Sequence, residues 1–366
     1  MSTEEKPRMD LAQICRLAVR AGASDVHMKV GLPPVFRVHG DLRPVNEFPV
    51  VTQEALGLTA WDIMNPIQRE RFKTTNDCDL AWTVLGVGRF RVNVFRQQGK
   101  IGMVLRTIPS TVRSIEELSL PPVLRKLALL HRGMILVTGA TGSGKSTTLA
   151  AMIEEVNRNL PHHILTIEDP VEFLFQDKKA VVNQREVGVD SANFHHALRA
   201  ALRQDPDVIL IGELRDKETV DIALAAAETG HLVLGTLHTI DAIETINRVL
   251  GFYEPHAQQQ VRLRLAASLR GVLSQRLVAA VGGGRAAAIE VMVNTAAVYE
   301  CMIDEKRTRE IRDLIRSGRA QYGSQSFDQH LYDLAQAGRI RPEDAMKAAN
   351  NPDELQLRFA GVADED

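Results

Sequence analysis

The sequence predicts an α/β protein in three parts: a small α+β domain, a larger domain built on a parallel sheet, and a C-terminal helical subdomain. Three patterns carry that expectation. Apolar runs at 134–137, 164–167, 208–211 and 232–237 alternate with longer helical segments, as strands buried on both faces of a parallel sheet do. Ahead of them, roughly the first 105 residues mix one helical pattern with several alternating ones, the mark of an α+β unit. From Asn294 onward, charged segments of helical period are broken by loop signals at Gly318, Gly323, Gly338 and Pro342.

In chain order, Leu11, Ile14, Cys15, Ala18 and Val19 recur at helical spacing and Gly22 supplies the stop. Val26, Met28 and Val30 alternate, Pro33-Pro34 interrupts, and Val35-Phe36-Arg37-Val38 follows as a second strand. Two further strand-like runs, 90–95 and 101–106, flank Gln97-Gln98-Gly99-Lys100, which reads as a hairpin turn. The connector Thr107-Ile108-Pro109-Ser110-Thr111 and the break at Pro121-Pro122 then separate two domains. The expected boundaries are a disordered tail over 1–10, a first domain over 11–106, a linker over 107–120, a second domain over 121–293 and the helical subdomain over 294–366.

Composition narrows the function classes. The 366 residues are 45% hydrophobic and 25% charged, at soluble globular averages. Lys+Arg 44 against Asp+Glu 46 gives a net charge of −2, which argues against a broad basic surface for nucleic acid. Arg262, Arg264, Arg270 and Arg276, read as one arginine-bearing helix, leave a translocase as the competing hypothesis, weakened by only 4 Tyr and 2 Trp for base stacking. No run of about 18 apolar residues is present, so no membrane insertion is expected. The polar start lacks a signal-peptide pattern, and Cys15, Cys78 and Cys301 are far apart. The expectation is a cytoplasmic protein.

The chemistry concentrates in Gly139-Ala140-Thr141-Gly142-Ser143-Gly144-Lys145-Ser146-Thr147, which fits G-x-x-x-x-G-K-[ST] between an apolar strand and a helix. Glycines let backbone N–H groups turn around phosphate oxygens at the positive end of the helix. Lys145 is expected to reach the β- and γ-phosphates of a nucleotide, and the Ser146 hydroxyl to sit on Mg²⁺. A second buried run, 208–211, ends in Gly212-Glu213, with Glu213 placed to orient and deprotonate an attacking water. Glu168, Asp169 and Glu172 crowd together after the 164–167 run, so Glu172 or Glu168 helps place Mg²⁺, directly or through water, unless the loop is simply solvated. His231 and His238 bracket the 232–237 run; His238 could read the γ-phosphate and His231 could hold the strand or the acidic loop, while a structural role remains open for each. Arg91 and Arg106 lie at matching depth on the two hairpin strands and are candidates for neutralising transition-state charge, with solvated strand arginines as the alternative.

Ser24-Asp25-Val26-His27, Arg89-Phe90-Arg91-Val92-Asn93, Leu105-Arg106-Thr107-Ile108-Pro109, the GATGSGKS loop, the acidic box 166–172, the segment from Arg203-Gln204-Asp205-Pro206-Asp207 to Glu213, and the histidine box 230–239 stand in one order. In that order the chain resembles the secretion ATPases of the type II and type IV pilus group, most closely the twitching-motility (pilus retraction) ATPases, over about 11–357. The resemblance implies a PAS-like N-terminal domain, a RecA-like ATPase domain and a homo-hexamer. On the matching positions it implies Glu213 as general base, Glu172 as the acidic-box glutamate, His231 and His238 as the histidine-box pair, and Arg91 and Arg106 as arginines that close over nucleotide. It implies ATP and Mg²⁺ as cofactors, docking on an inner-membrane platform protein of the pilus machinery, and no nucleic acid. Extension ATPases of the group carry a longer N-terminal region and a four-cysteine metal site; neither is seen here, so retraction is expected. One segment departs: where retraction ATPases show Ala-Ile-Arg-Asn-Leu-Ile-Arg-Glu, this chain has Ala297-Val298-Tyr299-Glu300-Cys301-Met302-Ile303-Asp304.

Overall fold

The computed structural model describes residues 8–38, 40–108 and 111–361. Residues 1–7 of the expected tail, and Pro109 and Ser110 of the expected linker, lie outside the described residues. The chain forms two compact units: 8–111 together with 169–174, and 112–168 together with 175–361.

The first unit opens with α1 (Leu11–Arg20), started by Asp10, whose side chain accepts from the Gln13 N–H at 2.8 Å. Residues 8–10 of the expected tail are therefore placed. Strands β1 (Asp25–Lys29), β2 (Val35–Val38) and β3 (Asp41–Pro44) precede helices α2 (Gln53–Ile63) and α3 (Pro66–Thr75); β4 (Asp77–Val84), β5 (Gly88–Gln97) and β6 (Lys100–Ile108) complete an antiparallel sheet in the order β3-β2-β1-β6-β5-β4. Val92, Val94, Met103 and Leu105 bury alternate positions of β5 and β6 against Ile14, Leu56 and Phe72 of the helices. The β5–β6 turn closes on Gln98 and Gly99, with φ of 50° and 74°, the positive pair that a two-residue hairpin needs. Arg91 faces Arg106 in the register, as the sequence predicts. Strand β6 runs past Arg106 because the Thr107 N–H donates to the Ser24 carbonyl and its hydroxyl to the Ala23 carbonyl, both at 3.0 Å.

The second unit is an α/β layer structure. Its elements in order are α4 (Val123–Ala128), β7 (Gly133–Thr138), α5 (Lys145–Asn159), β8 (His163–Glu168), β9 (Val181–Glu186), α6 (Phe194–Ala201), β10 (Val208–Ile211), α7 (Lys217–Glu228), β11 (Leu232–Leu237), α8 (Ala242–Leu250), α9 (Pro255–Ser268), β12 (Leu269–Ala279) and β13 (Arg285–Val293). The sheet order is β13-β12-β7-β11-β10-β8-β9, parallel from β12 to β9, with β13 antiparallel at the edge. Apolar runs without polar alternation are required because both faces are covered. Met134, Leu136, Ile209 and Ile211 pack with α6 to α9, while Ile135, Val137, Val208 and Leu210 pack with α4 and α5 on the other side.

The hairpin β12–β13 corrects the reading of the four arginines as one helix. Helix α9 ends at Ser268 and the chain passes directly into β12, so Arg262 and Arg264 are helical while Arg270 and Arg276 lie on a strand. The C-terminal helices α10 (Ala296–Ile303), α11 (Ile311–Ser317), α12 (Arg319–Tyr322), α13 (Phe327–Gln336), α14 (Pro342–Ala348) and α15 (Pro352–Phe359) belong to this unit. Phe327, Leu331, Leu334 and Leu355 close over Val278 of β12 and Ala288 of β13.

One buried carboxylate ties this edge hairpin to α8. Glu290 on β13 is 5% exposed and accepts from the Ala242 N–H, in the first turn of α8, at 2.9 Å. Burial pushes its carboxyl up to about 7, against the pull of the Ala242 hydrogen bond and with the help of the Asp241 charge. An unfolded glutamate titrates near 4.3, so between about pH 4.5 and 7 the folded chain keeps a proton that the unfolded chain has lost. Stability attributable to this group therefore falls as pH rises through that window. Glu290→Gln keeps the acceptor and removes the charge. It is expected to gain on the order of 3–4 kcal/mol near pH 8 and almost nothing near pH 4.5. Urea unfolding at both pH values checks this, and equal shifts at the two would contradict it.

Candidate functional site

All six residues of β7 are buried, and the chain leaves this strand through the glycine-rich loop into α5. Gly139, Gly142 and Gly144 have φ of 142°, 78° and 91°, a backbone that L side chains rarely adopt. Space adds a second requirement at two of them. A Cβ on Gly139 would lie 2.4 Å from the Gln275 carbonyl oxygen, and one on Gly144 would lie 2.7 Å from Gln275 Nε2. Gly144 is also the N-cap of α5, and no side chain caps that end, which leaves the first-turn N–H groups for an external anion.

The side chains of the loop fit a polyphosphate. Lys145 is buried, and its Nζ donates to the Gly139 and Ala140 carbonyls at 2.8 and 3.0 Å, which holds the ammonium across the loop. Ser143 Oγ is buried with no hydrogen-bond partner among the described residues, an orphaned group that a bound oxygen would satisfy. Ser146 and Thr147 are half-buried in the first turn of α5, where a hydroxyl can reach a metal bound to phosphate. Thr141 and Gly142 are exposed at the tip.

The carboxylate follows from the neighbouring strand. The Gly212 N–H after β10 donates to the Ile167 carbonyl at 2.8 Å, and a Cβ here would meet that oxygen at 3.1 Å and Glu168 Cα at 3.3 Å. A side chain at this position would be tight against β8, and the acid stands one residue later, at Glu213. Glu213 Oε2 accepts from Arg215 Nε at 2.7 Å, and Oε1 lies 3.2 Å from His238 Nε2. Strands β7, β11 and β10 are adjacent and parallel, so the loop, His238 and Glu213 all emerge at their C-terminal ends, where such sheets bind ligands. Glu168, at the end of β8, accepts from the Thr166 hydroxyl at 2.7 Å.

Other expected residues fall elsewhere. His231 precedes β11, at the opposite end of the strand from His238; its Nδ1 lies 2.9 Å from the Ala226 carbonyl. Of the roles open to it, this position serves the corner between α7 and β11, because a strand of six residues separates it from the loop end by close to 20 Å. Glu172, Arg91 and Arg106 belong to the first unit. Arg91 is exposed on β5. Arg106 Nε donates to Asp25 Oδ1 at 2.9 Å, and Ser24 Oγ donates to Asp25 Oδ2 at 2.9 Å. Burial pushes the Asp25 carboxyl up, but those two bonds together with the charges of Arg106 and His27 outweigh it and hold the group below its ordinary range.

The four arginines that left a translocase open are committed internally. Arg262 donates to the Met302 carbonyl, Arg264 pairs with Glu228, Arg270 bonds the Ala267 carbonyl, and Arg276 bonds the Ala348 carbonyl while stacking 3.9 Å from the Phe327 ring centroid. Sequence reasoning missed Gln275 and Arg215. Gln275 is 3% exposed on β12, donating Nε2–H to the Ser143 carbonyl at 2.8 Å and accepting from the Thr148 hydroxyl at 2.7 Å. Its signal is the polar Ser274-Gln275-Arg276 inside an apolar run, which can be polar only with partners waiting.

Among the described residues no helix is long and apolar enough to cross a membrane. The family model described as type II/IV secretion system protein matches residues 4–321. The type IV pilus retraction ATPase PilT of Pseudomonas aeruginosa is 46% identical over 345 residues, covering 94% of this chain and 99% of that protein. The type IV pilus ATPase PilU of the same organism is 42% identical over 350 residues, 95% and 91% of the two chains. A crystal structure of the pilus retraction motor PilT with bound ADP superposes with a TM-score of 0.87 at 43% identity, covering 95% of this chain and 99% of that one. With the phosphate loop and its carboxylate in place, the chain belongs to the type II/IV secretion system protein family and is an ATPase of that family.

Proposed function

We propose that this chain is a motor that couples hydrolysis of Mg-ATP to the retraction of type IV pili and so to twitching motility. The observation that carries the reading is the likeness to the retraction ATPase along nearly the full length of both chains. In this reading the chain works as a homo-hexamer, docked at the cytoplasmic face of the inner membrane on a platform protein of the pilus machine.

The chemistry follows from the residues of the loop and sheet edge. The loop N–H groups and the start of α5 bind the phosphates, and Lys145 exchanges its two loop carbonyls for phosphate oxygens. Ser146 would hold Mg²⁺, with Glu172 as a further ligand directly or through water, and the metal would supply charge neutralisation for the transferred phosphate. Glu213 accepts the proton of the attacking water on a lone pair that neither Arg215 nor His238 uses, while those two partners orient its carboxylate. His238 then reads the γ-phosphate. Arg91 and Arg106 neutralise charge that develops in transfer, and the Asp25 pairing keeps the Arg106 guanidinium from wandering.

A second reading, an accessory paralogue of the retraction motor, is favoured by Tyr299 and Glu300, exposed on α10 where the resemblance expects Arg-Asn. Retraction frequency in cells lacking the gene separates the two. Complementation by wild type but not by Glu213→Gln is the expected result for the motor, and normal retraction without the gene moves the chain to the accessory role.

Two variants test the chemistry in purified protein. Glu213→Gln is expected to bind ADP as the wild type does and to lose hydrolysis about 10²–10⁴-fold, since a positioned base contributes on that order. Steady-state turnover with fluorescent-nucleotide binding reads both, and unchanged turnover would remove Glu213 from the role. Arg91→Ala is expected to slow turnover of the assembled protein while leaving its melting temperature in place.

A further inference from the structure

We propose that Gln275 is a positioning residue for the phosphate loop, holding the Ser143–Gly144 peptide so that the Gly144 N–H is aimed at bound phosphate. The inference rests on the nucleotide-binding reading above and adds a residue outside the loop to it. Gln275 lies more than a hundred positions along the chain from the loop, on β12, yet it meets both ends of it. Its own carbonyl oxygen occupies the space that a side chain at 139 would need, and its amide occupies the space that a side chain at 144 would need.

The orientation of the amide is fixed by its partners. Ser143 offers a carbonyl, which can only accept, so the nitrogen of the Gln275 amide must face it, and the Thr148 hydroxyl then donates to the amide oxygen. Turning the amide over would set two acceptors against each other inside a buried site. The peptide between Ser143 and Gly144 is planar and trans, so its C=O and N–H point in opposite directions. Drawing the Ser143 carbonyl toward β12 therefore sends the Gly144 N–H away from β12. Thr148 stands on α5 one turn beyond the loop, so the tie joins three elements: the loop, the helix that follows it and the strand beside β7. A loop prepared in this way spends less ordering entropy when the phosphate arrives.

A glutamine that only fills the core would have the same burial, and nucleotide selectivity separates the two roles. Wild type, Gln275→Met, Thr148→Val and the double variant are titrated with Mg-ADP and with AMP by calorimetry, in the full-length assembled protein. Methionine keeps the shape and removes the donor. The positioning role predicts ADP binding about tenfold weaker in Gln275→Met, the cost of a lost hydrogen bond to a buried carbonyl. AMP, which lacks the β-phosphate, should keep its affinity. Thr148→Val should lose a smaller factor for ADP, and the double variant should be no weaker than Gln275→Met, since both changes cut one tie. Undiminished ADP binding in Gln275→Met overturns the proposal, as do equal losses for ADP and AMP or losses that multiply in the double variant. If Gln275→Met does not fold, Thr148→Val decides by the same ratio. A wild type that binds no ADP overturns the nucleotide reading and this one together.

Discussion

The second unit depends on one close approach, that of strand β12 to the loop between β7 and α5. The loop must present most of its backbone N–H groups to a ligand, so beyond the Ser143 N–H, which donates to the Ala140 carbonyl at 3.1 Å, other contacts have to keep its shape. Those contacts run through carbonyls and side chains instead: Lys145 to the Gly139 and Ala140 oxygens, and Gln275 to the Ser143 oxygen. They are possible only because positions 139 and 144 have no Cβ, since Gln275 fills the space where one would stand. The glycines of the motif thus answer to a neighbouring strand as well as to the ligand.

The same logic sets the acid. Strands β8 and β10 approach so closely at Gly212 that a side chain there would press on the Ile167 carbonyl and Glu168 Cα, and the carboxylate appears one residue later. Once there, Glu213 is shared between Arg215 and His238, so its charge is compensated before any nucleotide or metal contributes. A carboxylate at the edge of a parallel sheet would otherwise add to the repulsion that a triphosphate brings. The two partners sit on different segments, the β10–α7 connection and the end of β11, and each leaves its oxygen a further lone pair for a water.

Much of this was legible in the sequence, for physical reasons that differ by element. The loop could be read because phosphate binding imposes glycine, lysine and hydroxyl at fixed spacing, a demand that no packing role reproduces. The strands β7, β8, β10 and β11 could be read because burial on both faces makes them predominantly apolar. Strands β12 and β13 escaped notice because Arg270, Ser274, Gln275, Arg276 and Glu290 break their apolar pattern. Several of those residues are satisfied by a partner far away in sequence, such as Ala348 for Arg276 or Ala242 for Glu290. His231 and His238 bracket one run and the sequence leaves a structural role open for each, but a strand has two ends, and only His238 stands at the C-terminal one, which carries the ligand edge. Arg106 was found, whereas its partner Asp25 was seen only as part of a motif, because pairing across β1 and β6 spans most of the first unit in sequence.

The most direct measurement is a crystal structure of the assembled protein with Mg²⁺ and a non-hydrolysable ATP analogue. The account predicts the β- and γ-phosphates against the loop, Lys145 Nζ moved from the Gly139 and Ala140 carbonyls to phosphate oxygens, the Gln275–Ser143 hydrogen bond unchanged, and Glu213 within reach of the water in line with the γ-phosphate. Phosphates bound away from the loop, or a Glu213 with no water before it, would contradict it.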